Sequence, residues 1–463
     1  MIRLTAREVA ELCGGELQGA DPDALVPGPA VSDSRDVVPG ALFVAVKGER
    51  VDGHEYAASS HAAGASLVLA SSPVDAPAVL VEDTVEALGR LARGVLERLP
   101  AAFVVGVTGS SGKTSTKDLM AQVFAAAGPT IAPVGSLNTE VGLPLTVLRA
   151  DEETKFFALE YSARGVGHIA YLTGIARPNI AMVLNVGSAH VGEFGSREAI
   201  ARAKGELVEA LPSDGTAVLN GDDPLVRAMS SRTSARVLLV GRGADCDVRA
   251  EDVELDELAR ARFTVVTADG SARVSLRVHG EHQVSNALAV TGAALAAGIG
   301  LTDIAEALSS AGAASRWRME VSETAAGVVV VNDAYNANPE SMRAALQATV
   351  TMAAGRRTWA VLGPMAELGD VTEHEHRALG REARELGISR VVAVGPGAAS
   401  IAEAAALGGS DAEESVLMPD IDAAVAMLRE QLRPGDVVLV KASRSAGLER
   451  LAQALIDSLG SAA

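Results

Sequence analysis

The stretch from Phe103 to Ala127 constrains the fold of this chain more than any other. It opens with Phe-Val-Val-Gly-Val, an apolar and largely β-branched run that favours a buried strand. Residues 117–127 repeat their apolar side chains at helical spacing. Between the two lies the turn Thr-Gly-Ser-Ser-Gly-Lys-Thr at 108–114. The sequence therefore predicts a strand, a tight glycine-rich turn and a helix.

This turn has the composition of a phosphate-binding loop. Gly109 and Gly112 let the backbone approach an anion, and the start of the helix offers unpaired N–H groups. Lys113 adds a positive charge, and the Thr114 hydroxyl can hold Mg²⁺. The usual spacing places a glycine where this chain has Val107, so the match is a variant. An ordinary glycine and serine turn that contains a lysine is the alternative interpretation.

Composition limits the classes of protein that remain. The chain has 463 residues, of which 48% are hydrophobic, enough for roughly three domains with cores of their own. Its formal net charge of −19 argues against nucleic acid and anionic membranes as partners. No apolar run approaches the roughly 18 residues that a membrane span needs, so we expect no membrane insertion. Two cysteines far apart and no signal-peptide core at the start predict a cytoplasmic protein.

We predict three α/β domains, at 1–100, 101–312 and 313–463. In the second and third, near-continuous apolar strands alternate with helices, which indicates parallel sheets covered on both faces. A hairpin is predicted at 261–278 around an Asp-Gly turn. In the first domain, Thr5 and Glu8 form a predicted capping box at the start of a helix.

Two polar residues stand at the ends of predicted strands in the second domain. Glu160 closes a strand at 156–160, and His190 follows the strand at 180–186 by four residues. Ligands bind beyond the carboxyl ends of parallel strands, so both side chains are expected to face the glycine-rich turn. A surface strand end for Glu160 and a satisfied loop histidine for His190 are the alternatives.

A lysine falls on the apolar side of a predicted helix at 198–211. Ile200, Leu207 and Leu211 define an apolar stripe, and Lys204 lies within it. Because an unpaired buried ammonium is costly, this amine requires an acidic partner, a neutral state or a covalent modification. A lysine that snorkels along the helix edge is the alternative.

Polar residues in two further segments are candidates for binding. In the third domain, Asn338 can cap a helix that begins at Pro339, but this cap does not explain the preceding Asp333, Tyr335 and Asn336. In the first domain, Ser-Asp-Ser-Arg at 32–35 and Asp-Gly-His at 52–54 flank a predicted apolar strand. The latter two segments are either a ligand site or solvated loops.

Together these motifs resemble the Mur ligases of bacterial cell-wall synthesis. The resemblance spans the whole chain and is carried by the turn at 108–114, by Ala-Lys-Gly-Glu at 203–206 and by Asn-Asp-Ala-Tyr-Asn-Ala-Asn-Pro at 332–339. It is strongest to the branch that joins D-Ala-D-Ala to UDP-N-acetylmuramoyl-tripeptide. The resemblance implies a small N-terminal nucleotide-sugar-binding domain, a central P-loop ATPase-like domain with a parallel sheet, and a C-terminal Rossmann-like domain.

The family resemblance also implies a reaction and its residues. ATP drives amide bond formation through an acyl phosphate, with two Mg²⁺ ions and a carbamylated lysine, in a chain that we expect to be a monomer. Implied catalytic residues are Lys113, Lys204, His190 and Glu160. Implied ATP contacts are Thr108, Gly109, Ser110, Ser111, Gly112, Lys113, Thr114, Ser115, Asn286, Arg318, Asp333 and Asn336. Thr114 and Glu160 match positions for one Mg²⁺, and His190 with carbamylated Lys204 match those for the second. Implied substrate contacts are Ser34, Arg35 and Lys47 for the uridine nucleotide, and Asn138, Lys441, Ser443 and Arg444.

Some positions depart from the family pattern, and two rival functions stay open. Ala442 replaces a glycine, Pro364 stands where an acidic residue is common, and His168 where glutamate is frequent. A neighbouring Mur or folylpolyglutamate-type ligase keeps ATP, Mg²⁺ and the modified lysine but changes the amino substrate. A non-ligase P-loop protein, such as a nucleotide kinase or a regulatory ATP-binding module, keeps only the loop.

Overall fold

A computed structural model describes residues 1–48, 50–188, 191–406 and 415–460. Within these residues the strands form three sheets, of five, nine and six strands, one in each of three α/β domains. The strands of the three sheets lie at 16–80, 103–279 and 320–441. The domain bounds at 100 and 312 stay predictions. No described helix combines the length and the apolar character needed to cross a bilayer.

The first domain is a small sheet whose strand order is β1-β5-β4-β3-β2, with β1 antiparallel to the rest. Its elements are α1 (Ala6–Cys13), β1 (Glu16–Gln18), β2 (Ala30–Val31), β3 (Leu42–Val44), α2 (Ala57–Ala62), β4 (Leu67–Ala70), β5 (Ala78–Leu80) and α3 (Thr84–Glu97). The predicted capping box is confirmed, because Thr5 Oγ1 accepts from the Glu8 N–H and Glu8 Oε2 accepts from the Thr5 N–H. Helix α3 packs on the second domain, where a Cβ on Gly89 would lie 3.1 Å from Ile175 Cδ1.

The second domain carries the glycine-rich turn. Its elements are β6 (Phe103–Thr108), α4 (Lys113–Ala127), β7 (Thr130–Ile131), α5 (Gly142–Val147), β8 (Phe156–Glu160), α6 (His168–Ile175), β9 (Ile180–Val183), α7 (Val191–Phe194), α8 (Arg197–Glu209), β10 (Thr216–Asn220), α9 (Pro224–Arg227), β11 (Arg236–Gly241), β12 (Val248–Leu255), β13 (Arg260–Thr267), β14 (Gly270–His279), α10 (Gln283–Ala296) and α11 (Leu301–Ser310). The predicted strand, turn and helix are confirmed.

The nine-stranded sheet has the order β14-β13-β12-β11-β10-β9-β6-β8-β7. Strands β6 to β12 pair in parallel, whereas β12, β13 and β14 pair antiparallel. The predicted hairpin is therefore present, and it extends a sheet that is not parallel throughout. Strands β8 and β9 flank β6, so the carboxyl ends of all three meet at the turn.

The third domain has the strand order β15-β16-β20-β17-β18-β19, parallel except for the edge strand β15. Its elements are β15 (Glu320–Glu323), β16 (Val329–Asn332), α12 (Pro339–Ala353), β17 (Thr358–Leu362), α13 (Thr372–Glu385), β18 (Arg390–Val394), α14 (Ala399–Ala406), β19 (Ser415–Met418), α15 (Ile421–Gln431), β20 (Val437–Lys441) and α16 (Glu449–Leu459). Helices α12, α13 and α14 share one core with the sheet, and α15 and α16 share another. The sheet is thus covered on both faces, as predicted.

Candidate active site

The turn after β6 has the backbone geometry of an anion cradle. Gly112 adopts φ +81°, a left-handed conformation that favours glycine, immediately before the first residue of α4. Lys113 Nζ donates a hydrogen bond to the Gly109 carbonyl at 2.8 Å, so the side chain folds back over the turn. Burial lowers the pKa of the Lys113 amine, and the nearby Glu160 carboxylate opposes this effect.

Asn185, at the end of the segment that follows β9, holds the turn from the side. Its Oδ1 accepts from the Ser110 N–H at 3.0 Å and from the Ser111 N–H at 2.9 Å, and its Nδ2 donates to the Ser111 carbonyl at 3.2 Å. The Gly187 N–H donates to Ser110 Oγ at 2.9 Å. The turn is therefore fixed by the neighbouring strand as well as by its own glycines.

A buried carboxylate lies next to the start of α4. Glu160, 2% exposed, accepts from Thr114 Oγ1 at 3.2 Å through Oε2 and from Asn138 Nδ2 at 2.7 Å through Oε1. Arg318 of the third domain also donates to Thr114 Oγ1, at 2.9 Å. The surface-strand-end interpretation of Glu160 is thus wrong, because the side chain is buried beside the turn.

Lys204 is buried on α8, with 4% of its surface exposed. The part of the chain that the structure describes supplies no hydrogen bond or ion pair to its amine. Burial, and secondarily the positive charge of Lys113, hold the pKa of this amine well below its ordinary value. The side chain therefore does not snorkel to solvent. Because no described residue supplies an acidic partner, the structure favours an amine that is neutral or covalently modified.

The third domain contributes residues on the opposite side of the glycine-rich turn. Lys441 Nζ donates to Asp333 Oδ2 at 2.6 Å and to the Asn336 carbonyl at 2.9 Å. Asn338 caps α12 as predicted, and its Nδ2 also donates to the Ser110 carbonyl at 3.3 Å. The start of α12 thus touches the glycine-rich turn directly.

Two cavities open between the second and third domains. The first cavity, of about 290 Å³, lies between the turn, α10 and α12, and its wall includes Asn286, Arg318, Asp333 and Lys441. The second cavity, of about 550 Å³, lies on the other side of the turn, and its wall includes the following predicted site residues: Ser110, Ser111, Gly112, Lys113, Thr114, Asn138, Glu160, Arg318, Asn336, Ser443 and Arg444. Ser111, Gly112 and Arg318 line both cavities, so the two are adjoining parts of one cleft.

Two of the predicted residues in the third domain are already engaged by protein groups. Ser443 Oγ accepts from the Ala366 N–H at 2.8 Å. The Arg444 guanidinium lies 4.3 Å from the centre of the Trp317 ring and 2.7 Å from Glu449 Oε1. Both residues line the second cavity, and these contacts hold their side chains in place.

The candidates in the first domain lie apart from this cleft. Ser34 and Arg35 belong to a turn after β2, where Arg35 forms an ion pair with Asp33, and Lys47 is exposed after β3. Strands β2 and β3 are parallel neighbours, so both segments follow the same edge of the sheet. In the described part of the chain no hydrogen bond or ion pair joins the two segments.

Comparison with known proteins decides the family. Residues 31–95 match the Mur ligase family catalytic domain, 107–294 the Mur ligase middle domain and 317–444 the Mur ligase glutamate ligase domain. A Mycobacterium tuberculosis protein named UDP-N-acetylmuramoyl-tripeptide--D-alanyl-D-alanine ligase is 48% identical, over 100% of this chain and 99% of its own length. The chain belongs to the Mur ligase family.

Other Mur ligases agree with this assignment. An Escherichia coli protein of the same name is 36% identical, over 99% of both chains. A crystal structure of MurF from Acinetobacter baumannii superposes with a TM-score of 0.89 and 32% identity, covering 98% of this chain and 99% of that one. MurF ligase from Thermotoga maritima in complex with ADP gives a TM-score of 0.81 and 31% identity, covering 94% and 98%. The predicted resemblance and the three-domain fold are confirmed.

Two of the predicted metal ligands, Thr114 and Glu160, lie side by side in this Mur ligase cleft. Thr114 and Glu160 offer a hydroxyl and a carboxylate, the oxygen ligands that Mg²⁺ prefers, and they fit an ion that keeps several waters and phosphate ligands. In the described ranges no three or more His, Cys, Asp or Glu side chains form a group able to hold a metal. His190 lies outside the described residues, so its predicted role stays a prediction.

Three residues of this Mur ligase cleft have contacts that the sequence did not reveal. Asn185 interrupts the apolar segment at 180–186 with an amide, and this is the signal in the sequence that could have identified it. His282 lines the first cavity, where burial lowers the pKa of its imidazole. Glu340, on the first turn of α12, accepts hydrogen bonds from Ser188 of the second domain. Acidic residues are common at helix starts, so Glu340 gave no local signal.

Proposed function

We propose that this chain joins D-Ala-D-Ala to UDP-N-acetylmuramoyl-tripeptide in an ATP-dependent reaction, giving UDP-N-acetylmuramoyl-pentapeptide for peptidoglycan synthesis, ADP and phosphate. The observation that carries the proposal is the full-length likeness to relatives of that name, at 48% identity. The cleft supports it, because a phosphate-type loop, a buried carboxylate and cations from two domains converge there. A cytoplasmic location and a monomeric state stay predictions.

The proposed reaction has two steps. A carboxylate oxygen of the tripeptide attacks the γ-phosphorus of ATP, the bond to the bridging oxygen breaks, and ADP leaves with those electrons. The amine of D-Ala-D-Ala then attacks the acyl carbon, phosphate leaves, and the amine loses a proton. Phosphoryl transfer depends on positioning and on neutralising charge. Lys113 and Arg318 supply positive charge at the loop for this purpose.

In this proposal the first cavity takes the nucleoside and the second takes the reacting groups. Thr114 and Glu160 would hold one Mg²⁺, and a carbamylated Lys204 would hold a second together with His190. Such ions would neutralise the charge on the transferred phosphoryl group. The buried amine of Lys204 has no partner among the described residues and its pKa is lowered by burial, which supports the carbamate, since the unprotonated amine is the form that adds CO₂. Ser34, Arg35 and Lys47 bind the uridine nucleotide in the first domain.

Nucleotide and UDP-peptide together are expected to compact the protein in solution. Candidates for ATP binding come from both the second and the third domain, so ligands bound between them favour the closed arrangement. Small-angle scattering with and without both ligands measures this directly. A radius of gyration that is unchanged at saturation contradicts ligand-driven closure.

A contact between two glycines gives a second test of closure. A Cβ on Gly192 of α7 would lie 2.6 Å from the Gly369 nitrogen and 2.9 Å from its Cα, so the backbones of the second and third domains touch there. Gly192→Ala should displace the third domain and lower kcat about tenfold, because misplacement of about 1 Å costs rate steeply. Gly174→Ala is the matched control, since a Cβ at Gly174 on α6 meets nothing within 4 Å. Equal kcat values for the two variants count against a role for this contact.

A further inference from the structure

A third cavity, of about 390 Å³, adjoins the second one on the side of α6. Four residues line both cavities: Asn138, Thr139, Ser162 and Arg164. The wall of the third cavity also includes Tyr171 of α6, and a Cβ on Gly89 of α3 would lie 3.8 Å from the Tyr171 hydroxyl oxygen. Helix α6 therefore borders the third cavity and also meets the first domain.

The start of α6 is held by a side chain from another helix. The residue before α6 is Gly167, which has φ +94° and no side chain that could cap the helix. Glu206 of α8 supplies the acceptors instead, because its Oε1 accepts from the Gly167 N–H at 2.6 Å and its Oε2 accepts from the Ala170 N–H at 2.9 Å. The N–H groups of a first helical turn have no partner within the helix, so Glu206 fixes this turn in place.

Glu206 lies close to the reaction centre in the sequence but does not share its side of the helix. It follows Lys204 by two residues on α8, which places the two side chains on nearly opposite sides of that helix. Both are buried, with 4% of Lys204 and 8% of Glu206 exposed. A change at Glu206 is therefore expected to act first on α6 and on the wall of the third cavity.

The proposed function gives this wall a role. The peptide of the UDP-substrate has to reach from the first domain to the reacting groups in the second cavity, and the third cavity adjoins both. Arg164 and Glu140 line it, and neither forms an ion pair with another described residue, so both charges are available to a peptide. We propose that Glu206 is a positioning residue for the peptide substrate, because it holds the first turn of α6 against the third cavity. This inference rests on the proposed function.

The test measures the binding of UDP-N-acetylmuramoyl-tripeptide and, separately, of Mg-ATP to the full-length chain by titration calorimetry. Glu206→Gln has one acceptor oxygen and turns an N–H₂ group toward the second backbone N–H, so it should weaken binding of the UDP-peptide roughly tenfold. Its affinity for Mg-ATP should stay near the wild-type value. In steady-state assays KM for the UDP-peptide should rise by a similar factor, while kcat changes little. A merely structural role lowers thermal stability without separating the two ligands.

A second variant reaches the same turn from α6 itself. Gly167→Ala adds a Cβ that meets nothing within 4 Å, so it acts only through the left-handed backbone conformation, which alanine disfavours. It should show the same selective loss of UDP-peptide binding, and it decides the test alone if Glu206→Gln does not fold. Gly174→Ala on α6, where a Cβ also meets nothing within 4 Å and φ is not left-handed, is its matched control. Glu198→Gln, at an exposed position of α8, is the control for Glu206→Gln. Both controls should bind the two ligands as the wild-type chain does.

Unchanged affinity for the UDP-peptide in either folded variant overturns the inference. So does an equal loss of affinity for the UDP-peptide and for Mg-ATP, because the whole second domain is then disturbed. Binding is measured without turnover, so a wild-type chain that binds the UDP-peptide but fails to ligate D-Ala-D-Ala refutes the proposed function and leaves the role of Glu206 standing. A wild-type chain that does not bind the UDP-peptide overturns both.

Discussion

Lys113→Ala is expected to lower turnover by about 10²–10³-fold or more while leaving the binding of UDP-N-acetylmuramoyl-tripeptide near normal. The amine is the cation of the glycine-rich turn, where it lies within 2.8 Å of the Gly109 carbonyl. The UDP-binding candidates are in the first domain, away from the cleft. Steady-state ADP release gives turnover, and calorimetry with the UDP-substrate gives binding.

Lys155→Ala is the control for this experiment, because Lys155 is an exposed lysine of the same domain. It should retain wild-type turnover and binding. If Lys113→Ala weakens UDP-substrate binding as much as it lowers turnover, the separation of the two sites is wrong.

Lys204→Arg should be as damaging as Lys204→Ala, with a loss of about 10²-fold or more in kcat. A guanidinium is a fixed cation that does not form a carbamate under ordinary conditions, and beside Lys113 it repels Mg²⁺. Glutamate is shorter than a carbamylated lysine and should rescue poorly. Formate or acetate should partly restore Lys204→Ala by occupying the vacated space.

A carbamate on Lys204 should be detectable by NMR after exposure of the protein to isotope-labelled CO₂. The signal should be present in the wild-type chain and absent from Lys204→Arg. Arg202→Ala, at an exposed position of the same helix, is the control and should keep both the signal and the activity. A free amine in an active crystal, or a nearly wild-type Lys204→Arg, contradicts the assignment.

Local patterns in the sequence predicted the parts of the fold that depend on neighbouring residues. The strand, turn and helix around Lys113, the capping box at Thr5 and the helix start at Pro339 all follow from spacing within one element. The burial of Lys204 followed from helical periodicity alone. Strand β12 was missed because the register shifts between Glu251 and Glu254, and Asp252 has φ +53°, which breaks the alternation expected of a strand.

The contacts that build the cleft were harder to predict because they join distant parts of the chain. Glu340 and Ser188 are hydrogen-bonded although they are 152 residues apart in the sequence, and Arg318 and Thr114 are 204 residues apart. Ion pairs such as Lys441 with Asp333 depend on which strands become neighbours in the sheet, here β16 and β20. Nothing within either segment specifies this pairing, so the sequence did not predict these contacts.

The central claim is tested most directly by ADP release with combinations of substrates. The purified chain with Mg-ATP should release ADP at a substantial rate only when UDP-N-acetylmuramoyl-tripeptide and D-Ala-D-Ala are both present, with pentapeptide formed in equal amount. Dependence on a different amino substrate would assign the chain to a neighbouring ligase activity. ADP release that ignores the UDP-peptide, or none with both substrates present, would contradict the proposed function.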